Sequence, residues 1–115
     1  MKPAKTIEKP WGGEIWIAHN DKYALKIISF NKGCRSSLQY HNFKMEHIYV
    51  DEGIIEMDET VDGKLVKNRY EKGDVIENQP GKQHRVYAVT DVRLIEVSTP
   101  ELDDVVRVED DFGRT

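Results

Sequence analysis

In the stretch Tyr23-Ala24-Leu25-Lys26-Ile27-Ile28-Ser29-Phe30, apolar side chains at Tyr23, Leu25 and Ile27 share one phase and Lys26 falls in the other. Period two marks an extended strand, because successive side chains point to opposite faces of a sheet. Turn-forming groups then recur at short intervals, at Asn31-Lys32-Gly33, Asp51-Glu52-Gly53, Asp62-Gly63, Glu71-Lys72-Gly73-Asp74, Gln79-Pro80-Gly81 and Thr90-Asp91. Short runs between them, at 48–50, 53–57, 64–70, 85–89 and 92–97, predict strands. Asp62-Gly63 predicts a hairpin, since the tight turn that matches strand twist needs positive φ at both central residues. Many short strands at this spacing imply an all-β sandwich or barrel. The one predicted helix is short and C-terminal: Thr99 caps it, Pro100 opens it, and Leu102, Val105 and Val106 follow at helical spacing. Residues 1–7 are polar and unpatterned, suited to trailing in solvent or to adding a strand to a partner.

Composition supports the sheet. The chain has 11 Val and 10 Ile against 5 Leu and 4 Ala, and β-branched side chains fit a pleated surface while losing rotamer freedom in helices. At 115 residues it is read as a single domain, 1–115, with a core at about 9–99 and a tail at 100–115. No apolar run reaches the roughly 18 residues of a spanning helix, so no membrane partner is expected. The opening MKPAKTIEKPW lacks the apolar stretch of a signal peptide, which gives a cytoplasmic expectation. A single cysteine, Cys34, excludes an internal disulfide framework and a four-thiolate zinc site. A net charge of −4 argues against a nucleic-acid partner. The acidic tail (Glu101, Asp103, Asp104, Glu109, Asp110, Asp111) reads as a solvated face.

Four side chains suggest chemistry. Gln39 and His41 are two apart, so on a strand they share a face. Glu46 opens the next strand, in phase with Ile48 and Val50, and His84 follows the Pro80-Gly81 turn. Inside a closed sheet these positions can converge, and two imidazoles, a carboxylate and an amide oxygen suit a borderline divalent metal. His47, adjacent to Glu46, falls on the opposite face. Trp11 and Trp16 read as core or interface, and Cys34 as an inert turn residue.

The spacing Gly33-x5-Gln39-x-His41-x4-Glu46-x6-Gly53, followed by Gly73-x5-Gln79-x-Gly81-x2-His84, resembles the two motifs of the cupin superfamily. Gln39 stands where the first histidine is usual, Gln79 where a proline is usual, and Ala88 replaces the downstream asparagine. A closer resemblance is to the C-terminal cupin domain of type II phosphomannose isomerases and their stand-alone relatives. It is carried by Lys9-Pro10-Trp11-Gly12, Lys26, Ser37-Leu38-Gln39-Tyr40-His41, Glu46-His47, His84-Arg85, Glu96-Val97, Asp103-Asp104-Val105-Val106-Arg107 and Asp110 to Arg114. The resemblance implies a cupin jelly-roll barrel (double-stranded β-helix). It also implies one divalent metal held by Gln39, His41, Glu46 and His84, zinc first and manganese, cobalt, nickel or iron as alternatives. The implied reaction is interconversion of mannose 6-phosphate and fructose 6-phosphate. Lys44 stands where the family commonly has arginine, replacing a rigid fork by a point charge. Asn42 and Phe43 also depart from the pattern, and the guanylyltransferase domain of the bifunctional relatives is not in this sequence.

For an aldose–ketose isomerase, Lys26 and Lys44 are the catalytic candidates, and Arg35, Ser37 and Arg114 the candidates for binding a small phosphorylated sugar or sugar derivative. The alternatives are a non-catalytic metal- and sugar-binding module and, against the grain of the neutral Gln39 ligand, an iron-dependent oxygenase. A homodimer is expected, because a small barrel leaves sheet edges that a two-fold axis can pair.

Overall fold

The alternation at 24–30 does form a strand, with its phase set by burial rather than by apolarity alone. Ala24, Lys26, Ile28 and Phe30 turn inward, while Leu25 and Ile27 lie on the outer face. The structure, a computed structural model, describes residues 3–115. Eleven strands follow in order: β1 (Lys5–Lys9), β2 (Gly12–His19), β3 (Ala24–Phe30), β4 (Leu38–Tyr40), β5 (Glu46–Glu52), β6 (Ile54–Val61), β7 (Lys64–Glu71), β8 (Val75–Asn78), β9 (His84–Ala88), β10 (Val92–Ser98) and β11 (Val106–Glu109). They form a six-stranded sheet in the order β1-β2-β3-β10-β5-β8 and a five-stranded sheet in the order β11-β4-β9-β6-β7. Every pairing is antiparallel. This is the all-β, two-sheet barrel that the sequence implied.

Between the sheets lie Trp11, Ile28, Phe30, Ile48, Val50, Ile55, Met57, Ile76, Val86, Ala88, Val92 and Leu94. Burying each larger member stabilises the fold by about 1.5–3 kcal/mol. The Asp62-Gly63 hairpin forms as predicted, with φ of 51° and 76° and Val61 opposite Lys64. Gly12 is required for a different reason. A Cβ there would sit 2.0 Å from the Ser29 carbonyl oxygen, so only glycine lets β2 close onto β3 and leaves Trp11 stacked on Phe30 with ring centroids 4.0 Å apart.

Two local expectations turn out differently. The C-terminal helix does not form: residues 99–105 make turns, with the Leu102 amide donating to the Pro100 carbonyl and the Asp104 amide to that of Glu101. The chain then enters β11, where Val106 and Arg107 pair with Tyr40 and Gln39. Non-local ladder bonds outweigh a helix signal only a turn or two long. Residues Lys5–Ile7 neither trail nor wait for a partner, because they pair within the chain against Glu14–Trp16; Met1 and Lys2 lie outside the described residues. Among the described residues, no helix is long and apolar enough to cross a membrane.

Candidate metal centre

β4 and β9 lie side by side with Gln39 opposite His84, so both project from one face of the five-stranded sheet. His41 follows directly after β4. Glu46 begins β5 in the other sheet and meets them across the barrel. His41 Nε2 and His84 Nε2 lie 3.4 and 3.3 Å from Glu46 Oε1, and ligand atoms of the three residues all fall within 4.8 Å of one another. All three side chains are buried.

The imidazoles are fixed by their other nitrogens. His41 Nδ1 donates to the Asp104 carbonyl at 2.7 Å, and His84 Nδ1 donates to the Lys82 carbonyl at 3.0 Å. Carbonyls only accept, so Nδ1 carries the proton and Nε2 is left facing inward. Neither Nε2 has a hydrogen-bond partner although both are buried. Two imidazole nitrogens and a carboxylate oxygen pointed at one another need a positive charge between them, either a second proton on the rings or a metal ion. The donor set fits a divalent metal, and His41, Glu46 and His84 can hold one.

A buried charge network supports Glu46. Asn78 Nδ2 donates to Glu46 Oε1 at 3.0 Å, and Lys44 Nζ lies 3.1 Å from Oε2. Burial alone would push the Glu46 carboxyl up, but the two imidazoles, Glu96 and Lys44 outweigh it and hold it well below the usual range. Glu96 moves the other way, pushed up to about 8 by burial and by the neighbouring Glu46 charge. Burial works against the Lys44 ammonium, yet Glu96 and Glu46 reverse that and raise it. Lys26 bridges Glu14 and Glu96 at 3.4 Å each.

His41, His84, Glu46, Glu96, Glu14, Lys26 and Lys44 line one pocket of about 280 Å³, walled also by Trp11, Trp16 and Val86. Of the sequence candidates, Gln39, His41, Glu46, His84, Lys26, Lys44, Ser37 and Arg114 all line it. Gln39 stands beside the His–Glu–His cluster, its Oε1 accepting from Ser37 Oγ at 2.7 Å. Arg35 does not line the pocket; its guanidinium forks onto Asp111 at 2.6 and 2.7 Å and ties down the tail. Arg114 reaches the pocket while donating to both Asp110 oxygens, at 2.7 and 2.9 Å. His47 faces out, as its phase predicts. Trp11 is a core residue and a pocket wall at once.

Several contributors escaped the sequence reading. Glu96 was legible as an acid in phase with Val92 and Leu94, both buried. Asn78 was not, since only the β5–β8 register sets it opposite Glu46. The sequence alone makes Asp104 one acid of a solvated face. Its carboxylate in fact accepts from the backbone amides of Asn42, Phe43 and Lys44 at 2.7–3.0 Å, holding the loop that carries His41 towards Glu46.

Comparison with known proteins agrees with this architecture. Residues 1–110 match the family model described as mannose-6-phosphate isomerase C-terminal. The xanthan biosynthesis protein XanB of Xanthomonas campestris pv. campestris is 30% identical over 125 residues, covering 96% of this chain and 24% of that protein. The chain thus spans about a quarter of the length of the curated relatives it matches. Among solved structures, KdgF from Halomonas sp. aligns with a TM-score of 0.75 at 22% identity, over 87% of this chain and 91% of that one. Oxalate decarboxylase from Bacillus subtilis aligns at 0.80 with 13% identity, over 91% of this chain and 30% of that one. At these identities the structural likeness speaks for the cupin fold alone. The chain belongs to the mannose-6-phosphate isomerase C-terminal family of cupin domains.

Proposed function

We propose that this protein is a metal-dependent isomerase of a sugar phosphate, exchanging mannose 6-phosphate and fructose 6-phosphate or a similar aldose–ketose pair. The observation that carries the reading is the pair of buried, tautomer-fixed imidazoles facing Glu46 in a pocket whose wall also holds Lys26 and Lys44. Gln39, oriented by Ser37, serves as the fourth donor. The ion, zinc first and manganese, cobalt, nickel or iron as alternatives, supplies Lewis-acid stabilisation of charge building on the sugar oxygens. Mn(II) centres belong to the oxalate decarboxylase that shares this fold, which favours a metal-binding reading here. Lys44, held as an ammonium by Glu46 and Glu96, adds positive charge on the same side. Lys26, between Glu14 and Glu96, is the group that carries the proton between C1 and C2.

A coupled assay for fructose 6-phosphate from mannose 6-phosphate tests this. Turnover should appear with added zinc, manganese or cobalt and vanish with a chelator. No turnover with any metal, beside retained mannose 6-phosphate binding, would replace the isomerase by a binding module.

We also propose a homodimer, with the outer face of the larger sheet as its contact surface. One outward row crosses all six strands of the larger sheet: Thr6, Ile15, Ile27, Ile95, Tyr49 and Val75. Ile15, Tyr49 and Val75 are 37%, 38% and 59% exposed. An apolar row of this length suits a second copy of the same face, related by a two-fold axis. Light scattering should give twice the chain mass, and Ile95→Glu should give the monomer without loss of fold. A wild-type monomer at every concentration would end the idea.

A further inference from the structure

The pocket carries an imbalance of charge that the metal centre does not use. Five cationic side chains other than the histidines line it: Lys9, Lys26, Lys44, Arg107 and Arg114. Three are committed to carboxylates, Lys26 to Glu14 and Glu96, Lys44 to Glu46 and Glu96, and Arg114 to Asp110. Among the described residues, Arg107 and Lys9 have no acidic partner within 4.0 Å, and Arg107 Nε is buried with no hydrogen-bond acceptor. Leaving a charged donor buried and unmet is unfavourable, and a bound acceptor removes the cost.

The fold aims Arg107 deliberately. It sits opposite Gln39 on β11, on the face that turns into the pocket, and a bulge follows at once, with Arg107 paired to Gln39 but Glu109 to Leu38. Bulges re-aim side chains in this way. The segment is pinned by Arg85, which donates to the Ser36 carbonyl at 3.0 Å and the Glu109 carbonyl at 3.2 Å. Lys9 closes β1. β1 and β11 are edge strands of the two sheets, so the two uncommitted cations flank the pocket from opposite walls.

We propose that Arg107, assisted by Lys9, binds a phosphate monoester dianion on the pocket's ligand. A guanidinium presents parallel donors that match two phosphate oxygens, and a lysine adds a point charge. The assignment rests on the pocket being the ligand site proposed above, and it stands or falls separately from the isomerase chemistry.

Calorimetric titration of the metal-loaded protein with mannose 6-phosphate, inorganic phosphate and unphosphorylated mannose tests it. Wild type should bind the first two competitively, more weakly as salt rises, and mannose least well. Arg107→Gln should weaken both phosphates by about tenfold or more, with metal content and thermal unfolding unchanged. Arg107→Lys should recover part of the loss, and Lys9→Met should show a smaller one. Phosphate affinity unchanged in Arg107→Gln, mannose bound as tightly as its phosphate, or no phosphate binding by wild type would overturn the assignment. If binding depends on Arg107 but no sugar phosphate is isomerised, the anion site stands and the isomerase reading fails. If isomerisation proceeds with the same KM in Arg107→Gln, the reverse holds.

Discussion

His41→Ala and His84→Ala are each expected to leave the protein without stoichiometric metal after loading and desalting, whereas His47→Ala retains it. The first two residues direct a buried, unpartnered Nε2 at Glu46, while His47 faces solvent from the outer side of β5. The second readout is thermal. A metal that binds only the folded state stabilises it by about 2.7 kcal/mol at a free concentration of one hundred times Kd, so wild type should melt higher when metal is added and neither site variant should respond. Comparing each variant with and without metal matters, because removing an imbalanced imidazole also changes the metal-free protein, where Glu46 loses a neighbour. Elemental analysis showing equal metal in wild type and both variants would refute the centre. So would a wild type that takes up none of zinc, manganese or cobalt.

The second large effect is expected at Asp104, which touches no ligand of the pocket through its side chain. Its carboxylate caps three consecutive amides of the 42–44 loop, and its own carbonyl fixes the His41 tautomer. Asp104→Ala should therefore weaken metal binding by about 10–100-fold, the usual range for residues that orient a ligand. It should also lower stability by about 1–2 kcal/mol, comparable to losing a helix cap. The pH dependence has a definite sign. Burial pushes Asp104 up, but the three amides outweigh it and hold it below its ordinary value. The folded state thus favours the carboxylate, and the stabilisation is complete above the unfolded pKa of about 3.9 and lost as pH falls through the lower folded value. Chelator-treated wild type and Asp104→Ala should differ in denaturant midpoint at pH 7, and the gap should begin to narrow as pH falls below about 4. A gap that stays constant down to pH 3 would show that the carboxylate is not the source.

What could be read from the chain was whatever a period of two or a turn signature controls. Gln39 and His41 share a face because they are two apart, and the Asp62-Gly63 turn follows from the φ values it needs. The phase of β3 was harder. Leu25 and Ile27 are apolar yet lie outward, and only the six-strand row they join explains why an apolar residue belongs there. Lys26 was legible as a residue in the opposite phase to them, and it is indeed buried. Arg35, two residues before Ser37 and four before Gln39, would share their face on a continuous strand, but the chain there is no continuous strand. It makes only an isolated bridge to Tyr87, so the phase does not carry through. The tail departs from its helical signal for a related reason. Thr99-Pro100-Glu101 is a genuine local start signal, but the backbone of residues 106–109 has a sheet edge waiting at β4, and nothing in the local sequence announces that edge. Lys9, Asn78 and Arg107 share this difficulty, since their importance comes from the strand they face.

Because β11 and the turn before it supply Asp104 and Arg107, the pocket is completed by a segment that emerges from the ribosome after the ten strands preceding it. Synthesis runs from the N-terminus, and early strands can collapse before later ones exist. Until residue 104 is made, His41 has no carbonyl to hold its ring, and the imidazole that faces Glu46 is not yet oriented. Ordering of the His41 ring therefore waits on the pairing of β11 with β4, a contact between residues far apart along the chain.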